Sequence, residues 1–383
     1  MIIKSIIDTD LYKLTMQHAV LQTYPNAYVE YKFINRDPTM KFSSSFCHEL
    51  EANILAMDRL TLSTDEYHYL RGQDTNFLPD AYLDYLKGYR YDTRQAVVKY
   101  NDGELSIRLK GKWHSSINWE TQLMALISEL YFKGQDIADD TYERMDKKIQ
   151  MIRDSGIKVA ELGTRRRYSY AMQDEFIKRA KDVIVGTSNV HFAMKYGIKP
   201  VGTVAHEWFM YHGAKYGYRS ANFKALEAWS NVYRGDLGIA LSDTYGTNDF
   251  LFAFDKFFAK LFDGVRHDSG DPFDFGENII KHYDSKRIDP MSKTIIFSDG
   301  LNIKKAMSLA SYFEGRINVS FGIGTYLTND TGLKPLNMVI KIIYVYDRQG
   351  NKIPTVKISD NPIKAMSESP KELETAKYMI GQH

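Results

Sequence analysis

The sequence predicts an α/β protein, with a (β/α) barrel, complete or incomplete, beside an N-terminal α+β domain, and three observations carry that prediction. From Ile157 onward a short apolar or β-branched run, a polar or glycine-containing ending and a helical stretch recur about seven times. The runs are too apolar for a sheet with one wet face and read as parallel strands buried on both. Every ending carries Arg, Ser, His, Asp or glycine signals. That suits a barrel, where strand ends converge on one mouth, better than an open sheet, where only strands beside the switch point need functional ends. Residues before about 115 show no such alternation.

Along the chain, helical spacing marks Leu11 to Gln22, Ser45 to Met57 and Pro79 to Lys87, and AVVKY-NDG-ELSIRLKG reads as a hairpin because Asp102-Gly103 suits its reversed turn. Trp119, Leu123, Leu126, Ile127 and Leu130 give a helix from Trp119 to Phe132 one apolar face. The endings follow as IKVAELGTR, VIVGTSN, PVGTVAHE, LGIALSDT, GVRHDSGD, TIIFSDGLN and INVSFGIGT. After the fourth, Phe250, Phe254, Phe257, Phe258 and Leu261 stripe a core helix from Asp249 to Phe262, with Thr247 and Asn248 as cap candidates. Beyond Pro335, MVIKIIYVYD-RQGN-KIPTVKISD reads as a second hairpin with Gly350 in its turn. The expected domains are residues 1–115, completed by about 336–383, and a β/α catalytic domain at 116–335.

Composition narrows the function. The 383 residues allow two domains, and 44% hydrophobic with 26% charged residues is ordinary globular composition. Lys+Arg 50 against Asp+Glu 48 leaves a net charge of +2, so no strong field draws the chain to nucleic acid or an anionic membrane; a small ligand is the expectation. Cys47 is the only cysteine, which excludes an intrachain disulfide and a cysteine zinc cluster and suits a reducing, cytoplasmic setting. Asp8 and Asp10 interrupt the apolar N-terminus before a signal-peptide core forms, and no stretch approaches the ~20 apolar residues of a membrane span.

Several strand endings carry chemistry. FGIGT places Gly322 and Gly324 where backbone N–H groups can close on a phosphate, and FSDG, with Asp299, supplies a second glycine-bearing end one unit earlier. The third glycine of a dinucleotide fingerprint is replaced by Leu327, and no GxxxxGK[ST] occurs. VRHDSGDP sets Arg266 beside Asp268 and Asp271, which suits a Mg²⁺-diphosphate; the plain alternative is a surface salt bridge beside an Asp-Pro turn. His206 precedes Glu207, but Met210 stands where a zinc-protease HExxH needs its second histidine. It is either a hydrogen-bonded structural residue or a nucleophilic or acid/base imidazole partnered by Asp243. Of Arg165, Arg166 and Arg167, the first is expected to point into the mouth toward an anion, the others to divide between helix packing and solvent.

The motifs DTDLYKLTMQHAVLQTYP, ELGTRRRYSY, GTSNVHFAMKYGIKPVGTVAHEWF, LSDTYGTNDF, VRHDSGDP, FSDGLN and FGIGTYLTND together resemble the nicotinate phosphoribosyltransferase family, from about Asp8 to beyond Asp330 and in the family's order. The resemblance implies a type II phosphoribosyltransferase fold: an irregular α/β barrel plus an N-terminal α/β domain, working as a homodimer with shared active sites. It implies transfer of phosphoribose from 5-phosphoribosyl diphosphate to nicotinate, with ATP as co-substrate, Mg²⁺, and no NAD, flavin or zinc prosthetic group. Tyr12, delivered by the partner subunit, is implied to stack on the pyridine ring. Thr203 and Arg266 line the nicotinate pocket, Asp268 lies by ribose and metal with Asp271 as a further metal candidate, and Arg165 and Asp299 bind substrate. Gly322, Gly324 and Thr325 hold phosphate, and His206 is phosphorylated by ATP with Asp243 orienting it. Ser188 matches an aspartate of the nicotinamide-using family. It contacts the base or caps the helix that begins near Val190, and its lack of charge favours nicotinate.

Overall fold

The computed structural model describes residues 1–381. In chain order its strands are β1 (Tyr28–Asn35), β2 (Ala96–Asn101), β3 (Glu104–Lys112), β4 (Val159–Glu161), β5 (Gly186–Thr187), β6 (Arg234–Leu237), β7 (Ile239–Leu241), β8 (Gly264–His267), β9 (Thr294–Phe297), β10 (Asn318–Ile323), β11 (Met338–Tyr346) and β12 (Lys352–Pro354). The chain forms two compact units, one of Met1–Gly202 with Ile323–Lys341 and one of Thr203–Gly322 with the residues from Ile342 onward.

In the first unit, β1, β3 and β2 pair antiparallel in that order, with Tyr28 opposite Lys112 and Val97 opposite Arg108. Along β3, Leu105, Ile107 and Leu109 are buried while Ser106 and Lys110 are exposed, the period of two of a sheet packed on one face. Asp102 at φ 44° and Gly103 at φ 82° form the β2–β3 turn, as the Asp-Gly pair predicts. The short parallel pair β4–β5 sets Ala160 opposite Gly186, and Leu162 N–H donates to Ile323 O at 2.9 Å beside it. Helices Leu11–Thr23 and Trp119–Phe132 are buried over most of their surface, polar residues included. Lys13 and Glu120 satisfy one another at 2.5 Å.

In the second unit, β10, β9, β8 and β7 lie side by side in parallel, with Thr294 of β9 opposite both Asn318 and Gly264, and Gly264 opposite Ile239. Helix Pro272–Ser285 follows β8 and helix Ile303–Phe313 follows β9, the alternation the endings predict. The second hairpin also forms, with Tyr344 opposite Pro354 and Gly350 at φ 84° in its turn.

Mixed α/β structure with parallel strands is therefore present, but no sheet closes on itself among the described residues. Two local expectations fail. PVGTVAHE makes only an isolated bridge, Thr187 to Pro200: proline has no N–H to extend a ladder, and Gly202 at φ 137° turns the chain out of strand geometry. The helix expected from Asp249 to Phe262 is two, Thr247–Ala253 and Lys256–Leu261, because the Asp255 carboxylate accepts from Phe257 and Phe258 N–H and starts a second one. Phe257, expected in the core, is 62% exposed. No described helix is long and apolar enough to cross a membrane.

Gly264 fixes how closely β8 and β9 approach, since a Cβ there would meet the Thr294 carbonyl oxygen at 1.9 Å. Gly264→Ala is expected to cost about 1–3 kcal/mol by forcing the strands apart. Urea denaturation of variant and parent, compared at one pH, measures it.

Candidate active site

The second unit gathers charged side chains at the ends of its parallel strands. His206 opens helix His206–Tyr216 and is 4% exposed. Its Nδ1 lies 2.9 Å from Thr244 Oγ1, and its Nε2 lies 2.9 Å from Asp268 Oδ2 and 2.8 Å from Lys357 Nζ. Nε2 cannot donate to the carboxylate and accept from the ammonium at once, whereas the Thr244 hydroxyl serves either tautomer. Asp243, the expected orienting carboxylate, is 3.8 Å from Nε2 and outside hydrogen-bond range; Thr244 and Asp268 make the direct contacts. Asp243 Oδ2 instead accepts from Ser269 at 2.6 Å and Ser359 at 3.2 Å and faces Lys357 at 3.6 Å.

The electrostatics follow from burial. Desolvation and the Lys357 charge push His206 down to about 4, against the pull of Asp243 and Asp268, so its imidazole is neutral at pH 7. Burial disfavours the Asp268 carboxylate too, but the His206 hydrogen bond and the Arg266 and Lys357 charges hold it well below the usual carboxylate range. Arg266 on β8 reaches Asp268 at 3.7 Å and Val204 O at 3.4 Å, and its buried Nε has no hydrogen-bond partner. Asp299 takes Lys364 Nζ at 2.6 Å, and the same ammonium donates to Asp268 O at 2.7 Å. Thr203 donates to Ile239 O at 3.0 Å, and Gly322 is buried within β10.

His206, Asp243 and Asp268 converge closely enough to suggest a cation site, but the residues do not fit Mg²⁺. Imidazole is a poor magnesium ligand, and the Lys357 ammonium already faces all three groups, at 2.8, 3.6 and 4.0 Å. Asp271 stands apart in role: it caps helix Pro272–Ser285, accepting from Phe273 and Asp274 N–H.

The first unit builds a second cluster. Tyr12 lies in the first turn of helix Leu11–Thr23, its ring 5.8 Å from the Arg165 guanidinium and its buried hydroxyl without a hydrogen-bond partner. Arg165 Nε is 3.6 Å from Asp10 Oδ2, and Ser188 Oγ donates to Asp10 Oδ1 at 2.6 Å. Ser188 does not cap helix Val190–Tyr196; Asn189 does, accepting from Phe192 N–H. Tyr12, Arg165 and Ser188 are thus neighbours within one chain. Arg166 and Arg167 do not divide as expected. Arg167 is fully buried and grips Asp8 through two bonds of 2.9 and 3.1 Å, while Arg166 is mostly buried and burial brings its guanidinium down to about 10. Gly324 has a backbone reason of its own, since a Cβ would come 3.0 Å from Leu162 O; Thr325 opens the single-turn helix Thr325–Thr328.

Lys357, Lys364, Thr244, Asp10 and Glu161 escape the sequence reading. The lysines sit in PTVKISD and NPIK, which match no motif, so only tertiary proximity identifies them.

Comparison with known proteins agrees with the motifs. Residues 157–381 match the nicotinate phosphoribosyltransferase family model and residues 7–128 that family's N-terminal domain model. Nicotinate phosphoribosyltransferases of Chromohalobacter salexigens and Methanosarcina acetivorans are each 44% identical, covering 98% and 99% of this chain and 98% of their own lengths. The crystal structure of nicotinate phosphoribosyltransferase from Porphyromonas gingivalis superposes with a TM-score of 0.96 at 40% identity, over 99% of this chain and 100% of the other. That from Vibrio cholerae gives 0.93 at 35%, over 100% and 94%.

The Asp8–Arg167 pair is the part of the first cluster most exposed to a single substitution. Asp8→Asn leaves a buried guanidinium without its carboxylate and is expected to cost about 3–5 kcal/mol in denaturant unfolding at pH 7. Arg167 holds the Asp8 carboxyl below 3.8 against the cost of burial, so the wild type keeps this contribution above that pH and loses it only on further acidification.

Proposed function

Because the chain belongs to the nicotinate phosphoribosyltransferase family, we propose that it joins nicotinate to ribose C1 of 5-phosphoribosyl diphosphate, coupled to ATP hydrolysis through a phosphate carried on His206. The pyridine nitrogen forms the new bond to C1 while the C1–oxygen bond to diphosphate breaks, giving nicotinate mononucleotide, the first step of NAD salvage from nicotinate. The observation that carries the coupling is the His206 imidazole, buried, neutral and held at both nitrogens.

A neutral Nε2 has a lone pair for the γ-phosphorus of ATP; the P–N bond forms as the P–O bond to ADP breaks. Lys357 and Arg266 supply positive charge where phosphoryl oxygens gather negative charge. In the tautomer that reacts the proton sits on Nδ1 and is donated to the Thr244 hydroxyl, which keeps the ring in place throughout. Water later cleaves the P–N bond and resets the histidine. Magnesium, in this reading, arrives with the diphosphate and has no cage of protein ligands.

Tyr12, Arg165 and Ser188 are assigned to the base, with Thr203, Arg266 and Asp299 as further substrate contacts and Gly322, Gly324 and Thr325 for phosphate. The parallel strands of residues 116–335 are read as an irregular, incomplete barrel, supported by the polar residues at their C-terminal ends. Residues 1–115, completed by about 336–383, are read as the other functional domain, supported by the antiparallel strands β1–β3. A cytoplasmic homodimer completes the reading.

His206→Ala is expected to abolish ATP-dependent phosphorylation and ATP stimulation while slow ATP-independent transfer persists; mass spectrometry of ATP-treated protein and product analysis check both. A phosphate on another residue would refute the assignment. Nicotinate should be preferred over nicotinamide by at least about a hundredfold in kcat/KM, and Ser188→Asp, which sets a second carboxylate against Asp10, should weaken nicotinate use more than nicotinamide use. Competition between the two bases, assayed with and without ATP, reads this directly.

A further inference from the structure

Glu161 is the last residue of β4 and is completely buried, yet among the described residues it makes no ion pair with lysine or arginine. Its carboxylate is instead surrounded by donors. Oε1 accepts from Gly163 N–H, Oε2 from the Thr187 hydroxyl at 2.6 Å, and both from Gln173 Nε2 at 3.2 and 3.1 Å. The Gln173 amide cannot reverse to accept a proton, because its oxygen takes Arg167 NH1 at 3.2 Å. The backbone of Glu161 joins in: its carbonyl accepts from Ser188 N–H at 2.8 Å.

These contacts lie at the roots of two turns. Gly163 precedes the turn Thr164–Arg166 that carries Arg165, and Thr187 precedes Ser188 and accepts from Asn189 N–H at 3.1 Å. We propose that Glu161 is the positioning residue for Arg165 and Ser188, its ionised carboxylate tying both turns in the geometry that receives the nicotinate base. This rests on the reading that Arg165 and Ser188 border the base.

The grip responds to protons. A protonated carboxyl has a hydrogen to donate and finds no acceptor among the Gly163 and Gln173 N–H groups; only Thr187 can accept it, by giving up its own donation. Desolvation, with the Asp10 carboxylate of the N-terminal segment, raises Glu161 to about 7 against the pull of its donors. The other charges around it are Asp8 beside Arg167, Arg165 on the turn, and Glu120 of helix Trp119–Phe132 facing Arg165 at 3.9 Å. The sign is that of a raised acid: its contribution to stability falls as pH rises from 4.5 towards about 7 and is level above that, while the grip on the two turns strengthens as the carboxyl ionises through about 7.

The experiment measures kcat and KM for nicotinate between pH 6 and 8 on the full-length enzyme, Glu161→Gln, Thr187→Val and Arg165→Lys. In the wild type, KM should rise on acidification through about pH 7 with kcat within about threefold. Glu161→Gln should raise KM about tenfold at pH 8 and flatten its pH dependence, because the amide cannot titrate. Thr187→Val removes one donor from the anion and should move the inflection to higher pH, which keeps the test decisive if Glu161→Gln fails to fold. An inflection retained in Glu161→Gln, or unmoved in Thr187→Val, overturns the proposal. If Arg165→Lys raises KM while the other two do not, the positioning role falls and the base pocket stands. If Arg165→Lys leaves KM unchanged, the pocket assignment itself falls.

Discussion

The interaction on which the first unit's site depends is the buried pair of Asp8 and Arg167. Neither side chain reaches water, and 159 residues of chain separate them. Asn189 Nδ2 donates to Asp8 at 2.8 Å, and Gln173 accepts from Arg167, so the ion pair meets the N-terminal segment, the turn after β4 and the turn after β5 at one point. A buried charge pair of this kind adds little net stability over apolar packing, because desolvation offsets most of the attraction. Its effect is on register. The segment carrying Asp10 and Tyr12 can lie only where Asp8 finds its guanidinium, and that places Asp10 against Ser188 and the Tyr12 ring near Arg165.

The second unit solves a different problem with the same materials. Two carboxylates and an imidazole near one another repel or pull protons unless a cation intervenes, and Lys357 is that cation. Its charge helps keep Asp268 ionised and His206 neutral, the combination in which the imidazole has a lone pair to offer. The segment that delivers it is fastened nearby: Ser359 reaches Asp243, Asp360 accepts from Thr247 N–H at 2.8 Å, and Lys364 reaches Asp299. The two units thus share a design in which a charged group distant in sequence completes each cluster.

That distance separates what the sequence reveals from what it hides. Strand endings such as LSDT and VRHDSG are local, an apolar run followed by chemistry, and Asp243, Arg266 and Asp268 can be read directly from them. The Asp102-Gly103 turn is equally local. Arg167 reads as solvated or packed on a helix because its partner lies in another part of the chain, and Lys357 is invisible for the same reason, 151 residues from His206. Where local reading errs, a competing local interaction is responsible: the Asp255 carboxylate divides a helix that hydrophobic spacing alone would continue, and Pro200 with Gly202 denies a strand to an apolar run. Ser188 shows the limit from the other side. Its motif allows contact with the base or a helix cap, and neither reading contains the Asp10 carboxylate that it meets, far away in sequence.

The position of Lys357 also has a bearing on how the chain comes to be made. Asp268 leaves the ribosome roughly 90 residues ahead of the lysine, an interval of about 5–20 s at ordinary rates of synthesis. During it, Asp243, Asp268 and His206 exist without their ammonium, and burying two carboxylates together unneutralised is strongly unfavourable. Burial of these strand ends is therefore disfavoured until the segment with Lys357 is present.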